Sequence, residues 1–112
     1  RDPAMKVDES FLALAVKASG AVQYAEGSVV SKQILKSEAG SITLFAFDKD
    51  QSLSEHTAPF NAFVQVIDGR GEFVVGTKKV VAEKGDCLIL PANVPHALQA
   101  IEPFKMLLVM IK

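Results

Sequence analysis

An all-β fold, an antiparallel sandwich or closed jelly roll, is what this sequence predicts, with a short helical or edge segment near its N-terminus. Apolar runs of four to eight residues, rich in Val, Ile, Leu and Phe, recur from residue 29 to residue 111. Clusters of Gly, Pro, Asp and Asn separate them, as between strands. Only residues 8–19 carry a helical spacing of apolar positions. Many short strands at this pitch favour closed antiparallel architecture over a parallel α/β design.

Arg1, Asp2, Pro3 and Ala4, before Met5, read as a vector-derived leader outside the fold, and residues 5–112 as one domain. A domain of this length buries roughly two-thirds of the surface its unfolded chain exposes, so it needs no staples. In residues 8–19, Asp8 or Ser10 suits a helix cap, Phe11, Leu14, Ala15 and Ala18 share a helical face, and Gly20 suits the residue past the end. The rival is an edge strand over residues 11–16. Residues 21–28 read as loop. Strands are then expected at residues 29–36, 41–48, 53–57, 62–68, 72–75, 78–82, 87–90, 96–100 and 105–111. The turns between them hold Asp48-Lys49-Asp50, Gly76-Thr77, Lys84-Gly85-Asp86, Pro91 to Pro95 and Glu102-Pro103. Gly69-Arg70-Gly71 has strands on both sides and no helix to hold an anion, so it reads as a hairpin turn rather than a phosphate loop.

Composition narrows the partners. Twelve basic and 13 acidic residues give a net charge of -1, with neither sign gathered into a block. No nucleic-acid or membrane partner is expected. The single cysteine, Cys87, excludes an intrachain disulfide. The apolar run at residues 11–16 follows acidic residues and lacks a cleavage pattern, so no signal peptide is read and a cytoplasmic location is expected. Two strands, residues 41–47 and 106–111, are apolar on both faces, whereas a strand with one wet face alternates. Something must cover their outer side: either the N-terminal segment folding back, or a homodimer in which these faces meet, the latter being the expectation.

The chain has two histidines, His56 and His96, each beside a strand. His56 precedes a strand ending in Val66-Ile67-Asp68 and then Gly69, and His96 closes a stretch holding Gly85, Asp86, Pro91 and Val94-Pro95. These residues resemble the two motifs of the cupin family, over most of the chain from about residue 29. In that family the first motif is His, any residue, His, three or four residues, Glu, and later Gly. The second is Gly, five residues, Pro, then Gly and His, with Asn four beyond. Here Ala58 and Ala62 stand at the second histidine and the glutamate, Asn93 where glycine is common, and Ala100 where asparagine is common. The resemblance implies a jelly-roll barrel enclosing a site where three histidines and a carboxylate hold a divalent metal.

Of those four ligands His56 and His96 remain, and alanine offers no lone pair. The resemblance therefore leaves open one divalent transition metal (zinc, nickel, manganese or iron) or none. Replacement donors are sought in Ser54, on the face of His56 by strand alternation, in Asn61 and Asn93 of the flanking turns, and in Cys87, whose thiolate is a soft ligand if it points inward. The alternative for Cys87 is a small core residue. Phe60, Phe63 and Phe73 read as core or cavity wall, with Phe63 a candidate ligand contact, while Met106 and Met110 share a packing face. Glu55 should face away from His56, and no serine lies in a nucleophile elbow. The leading reading is a small-molecule-binding barrel whose metal site is reduced or lost. The alternatives are a metal-dependent oxygenase, isomerase or decarboxylase acting on a small organic acid, sugar or phenol, and an interaction module that uses its outer sheet.

Overall fold

A computed structural model describes residues 5–112; the leader read at residues 1–4 lies outside the described residues. Ten strands form it: β1 (Lys6–Val7), β2 (Val29–Ser37), β3 (Gly40–Phe47), β4 (Ser52–His56), β5 (Asn61–Asp68), β6 (Arg70–Val75), β7 (Lys78–Glu83), β8 (Cys87–Leu90), β9 (His96–Ala100) and β10 (Phe104–Ile111). The nine strands expected from the sequence are all present, with ends within two residues. One sheet runs β1-β2-β3-β10-β5-β8 and the other β4-β9-β6-β7. Every pairing is antiparallel. The pairs β3 with β10, β4 with β9, β5 with β8 and β6 with β7 are nested about one centre, so the chain keeps crossing between sheets. That nesting is a jelly roll. Among the described residues, no helix is long and apolar enough to cross a membrane.

The turn at Gly69 differs from the hairpin expected there. β5 and β6 belong to different sheets, and Gly69 is the corner between them. It adopts φ 66°, and a Cβ at this position would strike the Pro103 carbonyl oxygen. Strand alternation does the rest of the sorting: in β5, Ala62, Val64 and Val66 are buried while Phe63, Gln65 and Ile67 face out. The inward residues of both sheets meet in one core that includes Phe47, Phe73, Phe104, Val64, Val66 and Met106. Phe47 and Phe104 stack at 4.7 Å with 6° between ring planes, and Phe73 meets Phe104 edge-on at 6.2 Å. Gly71 lies beneath that ring.

The N-terminal segment is neither the expected helix nor a strand over residues 11–16. Asp8 does cap, its Oδ1 accepting from the Ser10 N–H at 3.0 Å, but it starts a single 3-10 turn, Glu9–Phe11. The chain then runs without regular structure to a second such turn, Ala18–Gly20. Short helices are marginal on propensity alone, and the tertiary alternative here buries apolar surface. Phe11, Ala18, Ala21, Val22 and Tyr24 pack on Leu44, Ala46, Ile67 and Leu107, the outer face of the larger sheet. The chain's own N-terminal segment thus covers part of the two strands that are apolar on both sides. Lys105 also lies under it, only 7% exposed, its Nζ donating to the Ser19 carbonyl at 2.6 Å and sitting 4.7 Å from the Tyr24 ring centre.

Tyr24 fastens this segment by donating its hydroxyl to Asp68 Oδ2 at 2.5 Å. Burial, then the hydrogen bond to Asp68 and its charge, push the Tyr24 hydroxyl well above its ordinary value of 10.0. A group with a raised folded-state pKa contributes stability that is present below its unfolded value and lost as pH climbs toward the folded one. Tyr24→Phe should therefore lower stability by about 1 kcal/mol at neutral pH, and the gap to wild type should narrow above pH about 10. Urea unfolding at pH 7 and above pH about 10 measures both; Tyr24 is the only tyrosine, so a gap that stays constant would count against the bond. A Cβ on Gly71 would lie 2.9 Å from Phe104 Cζ, with both Cε atoms within 3.1 Å. Gly71→Ala should cost about 1–3 kcal/mol in the same assay by forcing the stacked ring to move; an unchanged midpoint would mean the ring has room.

Candidate functional site

His56 ends β4 and His96 opens β9, and the two strands are paired. Leu53 lies opposite Leu98 and His56 opposite His96, so three steps on β4 match two on β9. The extra residue is a β-bulge, which reverses the alternation of the strand that carries it. Leu53, Leu98 and His96 point into the barrel, and the bulge turns His56 to the same side. Ser54, expected beside His56, instead lines a groove on the outer face of the smaller sheet with Ser52, Glu72, Val74, Ala97 and Gln99. Only the Ser54 main chain serves the site.

That main-chain contact determines the chemistry. His56 Nδ1 lies 2.8 Å from the Ser54 carbonyl oxygen, and His96 Nδ1 lies 3.1 Å from the Val94 carbonyl oxygen. A carbonyl oxygen only accepts, so each Nδ1 carries the hydrogen and each neutral ring presents Nε2 as an acceptor. The two Nε2 atoms are 3.2 Å apart. Two acceptors at that distance have no hydrogen to share unless one ring takes up a proton, a donor group is inserted, or a cation sits against both. With metal–nitrogen bonds of about 2.0–2.1 Å and ligand angles between about 90° and 110°, two nitrogens lie about 2.8–3.4 Å apart. The pair therefore fits two positions of a divalent ion's shell. The full family set does not fit: among the described residues, no three of His, Cys, Asp and Glu converge.

Each other residue singled out from the sequence has a definite place. Asn93 adopts φ 65°, a backbone region that asparagine tolerates and that glycine commonly fills. Its N–H donates to the Ala58 carbonyl at 2.8 Å, joining the loops after β4 and before β9. Asn61 Oδ1 accepts from the Ala92 N–H at 2.9 Å. With the Gly76 N–H donating to the Pro95 carbonyl at 2.8 Å, these bonds hold the loop that presents His96. Asn61 and Asn93 are thus engaged in scaffolding. Phe63 faces out of the barrel. Cys87 is exposed, on the opposite side of β8 from the inward Leu88 and Leu90, so it is neither core nor beside the histidines. Ala62 is core, flanked by Leu90 and Met110 on the neighbouring strands.

Gly85 and Asp86 are structural as well: the Gly85 N–H donates to the Val66 carbonyl and the Val66 N–H to the Asp86 carbonyl, both at 2.9 Å. His96 is buried and His56 exposed, so access is from the His56 side. The orienting carbonyls of Ser54 and Val94 were not singled out from the sequence. Their one trace is that each stands two residues before a histidine.

The family model for the cupin domain matches residues 43–111. No functionally curated protein matches the chain. Among solved structures, a conserved protein of unknown function from Streptococcus pyogenes is 28% identical, with a TM-score of 0.89 over 95% of this chain and 93% of that one. A cupin 2 conserved barrel domain protein from Leptotrichia buccalis is 41% identical over 84% of this chain, TM-score 0.81, but this chain spans only 46% of its length. A cupin superfamily protein from Desulfitobacterium hafniense is 26% identical, TM-score 0.80, over 84% of this chain and 85% of that one. With the nested strand pairs, the glycine and proline turns of the second motif in place, and a family model spanning more than half of its residues, the chain belongs to the cupin family.

Proposed function

We propose that this protein is a small-molecule-binding cupin in which His56 and His96 recognise a polar group and the family's metal site is reduced to two ligands. The observation that carries the reading is the geometry of the pair: each Nδ1 sits within hydrogen-bond distance of a main-chain carbonyl, which leaves the two Nε2 atoms, 3.2 Å apart, as the acceptors of neutral rings. Such a pair welcomes a hydroxyl, an amine or another donor-bearing group. Catalytic metal sites normally keep three protein ligands. Here the family's second histidine and its glutamate are replaced by Ala58 and Ala62, and Ala62 is packed among apolar neighbours. A carboxylate placed there without a metal would be costly. The competing reading, a metal-dependent enzyme, rests on one specific observation: the Nε2 spacing suits two ligands of one ion. Bound metal would then polarise an oxygen of the ligand, while His56 and His96 hold the ion at the barrel mouth.

Elemental analysis of protein purified without metal-affinity resin, beside histidine-ring NMR during titration with zinc or nickel, separates the two. Weak binding, with no metal carried through gel filtration, is expected. Near-stoichiometric metal would overturn the reduced-site reading. In urea unfolding, His56→Ala should stay within about 0.5 kcal/mol of wild type because the side chain is exposed. His96→Ala should cost about 1–3 kcal/mol because it is buried and hydrogen-bonded. Either substitution should abolish the ring shifts caused by zinc; retained shifts in both variants would place binding elsewhere.

Ala58→His with Ala62→Glu should raise zinc affinity while lowering stability in chelator, and zinc should then raise the melting temperature more than it does in wild type. Equal zinc responses would mean that these alanines do not stand at the family's ligand positions.

A further inference from the structure

Acidic and basic residues mix along the sequence, yet the fold sorts them along the barrel axis. At the end that carries His56 and His96, the strand ends supply Lys36, Lys78, Lys79 and Lys112, and Lys6 of β1 lies opposite Lys36. The carboxylates there are Glu38, in the turn between β2 and β3, and Glu55, beside His56. At the opposite end, the turns at residues 48–50, 68–70, 83–86 and 101–103 hold Asp48, Asp50, Asp68, Glu83, Asp86 and Glu102 against Lys49, Arg70 and Lys84. The histidine end is the positive end.

Strand register sets two of these lysines on the face of the histidine pair. His56 lies opposite His96, His96 opposite Val75 and Val75 opposite Lys78, so Lys78 shares their inward face two strands away from His96. At the usual strand spacing those Cα atoms are about 10 Å apart, a gap that the flexible lysine stem largely spans. In the larger sheet Lys36 lies opposite Ser41, Ser41 opposite Met110 and Met110 opposite Ala62. Met110 and Ala62 pack in the core, so Lys36 is on the inward face too. Lys112 holds its Nζ 5.4 Å from the centre of the Phe60 ring, in the loop that follows His56. All three lysines are exposed, and among the described residues the one ion pair joins Lys32 to Asp8.

We propose that the group held by the histidine pair is the hydroxyl of a small anion, a hydroxycarboxylate, whose charge is selected by Lys36 and Lys78. This rests on the histidine pair as the recognition site. Two Nε2 acceptors need a donor, which a carboxylate lacks, so the pair takes the hydroxyl and the lysines take the carboxylate. An amine also carries hydrogens, but as an ammonium it meets a rim of its own sign. Inside the pair the barrel is closed by Leu53, Leu98, Val75, Leu90 and Met110. An anion buried among them would be unpaired and costly, so the charged end stays at the mouth. Single exposed ion pairs are weak, but lysines from several strands acting together raise the local concentration of anions.

Histidine-ring NMR of metal-free protein at pH about 8, above the ordinary range of imidazole, tests the proposal. Glycolate, lactate and mandelate are titrated, each beside its uncharged amide. The acids should shift the His56 and His96 ring signals with affinities about tenfold above those of the amides. That advantage should shrink as salt is raised through physiological strength. It should disappear in the double variant Lys36→Gln with Lys78→Gln and persist in Lys84→Gln, at the opposite end. Both sites are exposed, so the melting temperature of the double variant should match wild type. Amides that bind as tightly as the acids would overturn the anion and leave the pair's role intact. An advantage that survives the double variant would overturn the choice of lysines. Ring signals that answer to neither acids nor amides would overturn the histidine pair as the recognition site, and this inference with it.

Discussion

The contact between Phe104, stacked on Phe47, and Phe73, edge-on to Phe104, is the constraint from which the position of the site follows. Phe47 and Phe104 belong to the larger sheet and Phe73 to the smaller, so these rings join the two layers. Phe73 lies opposite Leu98, and two residues further along Val75 lies opposite His96. A one-residue slip of β9 against β6 would turn Leu98 out of the core and His96 out of the barrel together. The close approach of Gly71 to the Phe104 ring pins β6 at its other end. His96 is thus held in place from deep inside the barrel.

Around that anchor the site is made of main chain as much as of side chains. The carbonyls of Ser54 and Val94 turn two flexible imidazoles into a fixed pair of acceptors. Side chains locked by a supporting hydrogen bond keep their geometry better than free ones. The loop before β9 is held by three bonds, through Asn61, Ala58 and Gly76, each 2.8 to 2.9 Å. The positioning apparatus is therefore intact where half of the family's ligand set is absent. Main-chain groups of that loop need partners in any fold, and on the proposed reading the same bonds fix the histidine pair for its ligand.

Legibility in the sequence followed the reach of the interactions. The strands were readable because their limits are local: glycines, prolines and aspartates stop them, and alternating side chains define their faces. The barrel and the two histidines came through the motif residues Gly85, Asp86, Pro91 and His96. The face of His56 did not, because Ser52, Ser54 and His56 alternate correctly until β4 is laid against β9 and the bulge appears. The hairpin read at Gly69-Arg70-Gly71 failed for the same reason, since a corner between sheets and a hairpin use the same turn residues. In the N-terminal segment, helical spacing of Phe11, Leu14, Ala15 and Ala18 was outweighed by an outer sheet face that needed cover.

Alanine at position 62 stands where the family commonly carries a glutamate, and here it forms part of an apolar wall. Its neighbours Leu90 and Met110 lie on the two strands that flank β5, and all three belong to the core. An inward carboxylate there is tolerable only while a cation is beside it. A barrel that functions without metal is more stable with alanine, and it then loses the charge that makes a divalent ion bind tightly. His56 and His96 escape this pressure because neutral imidazoles, each bonded through Nδ1, cost little to keep at the mouth. On the proposed reading, two histidines without their carboxylate serve a neutral or donor-bearing ligand rather than a resident ion.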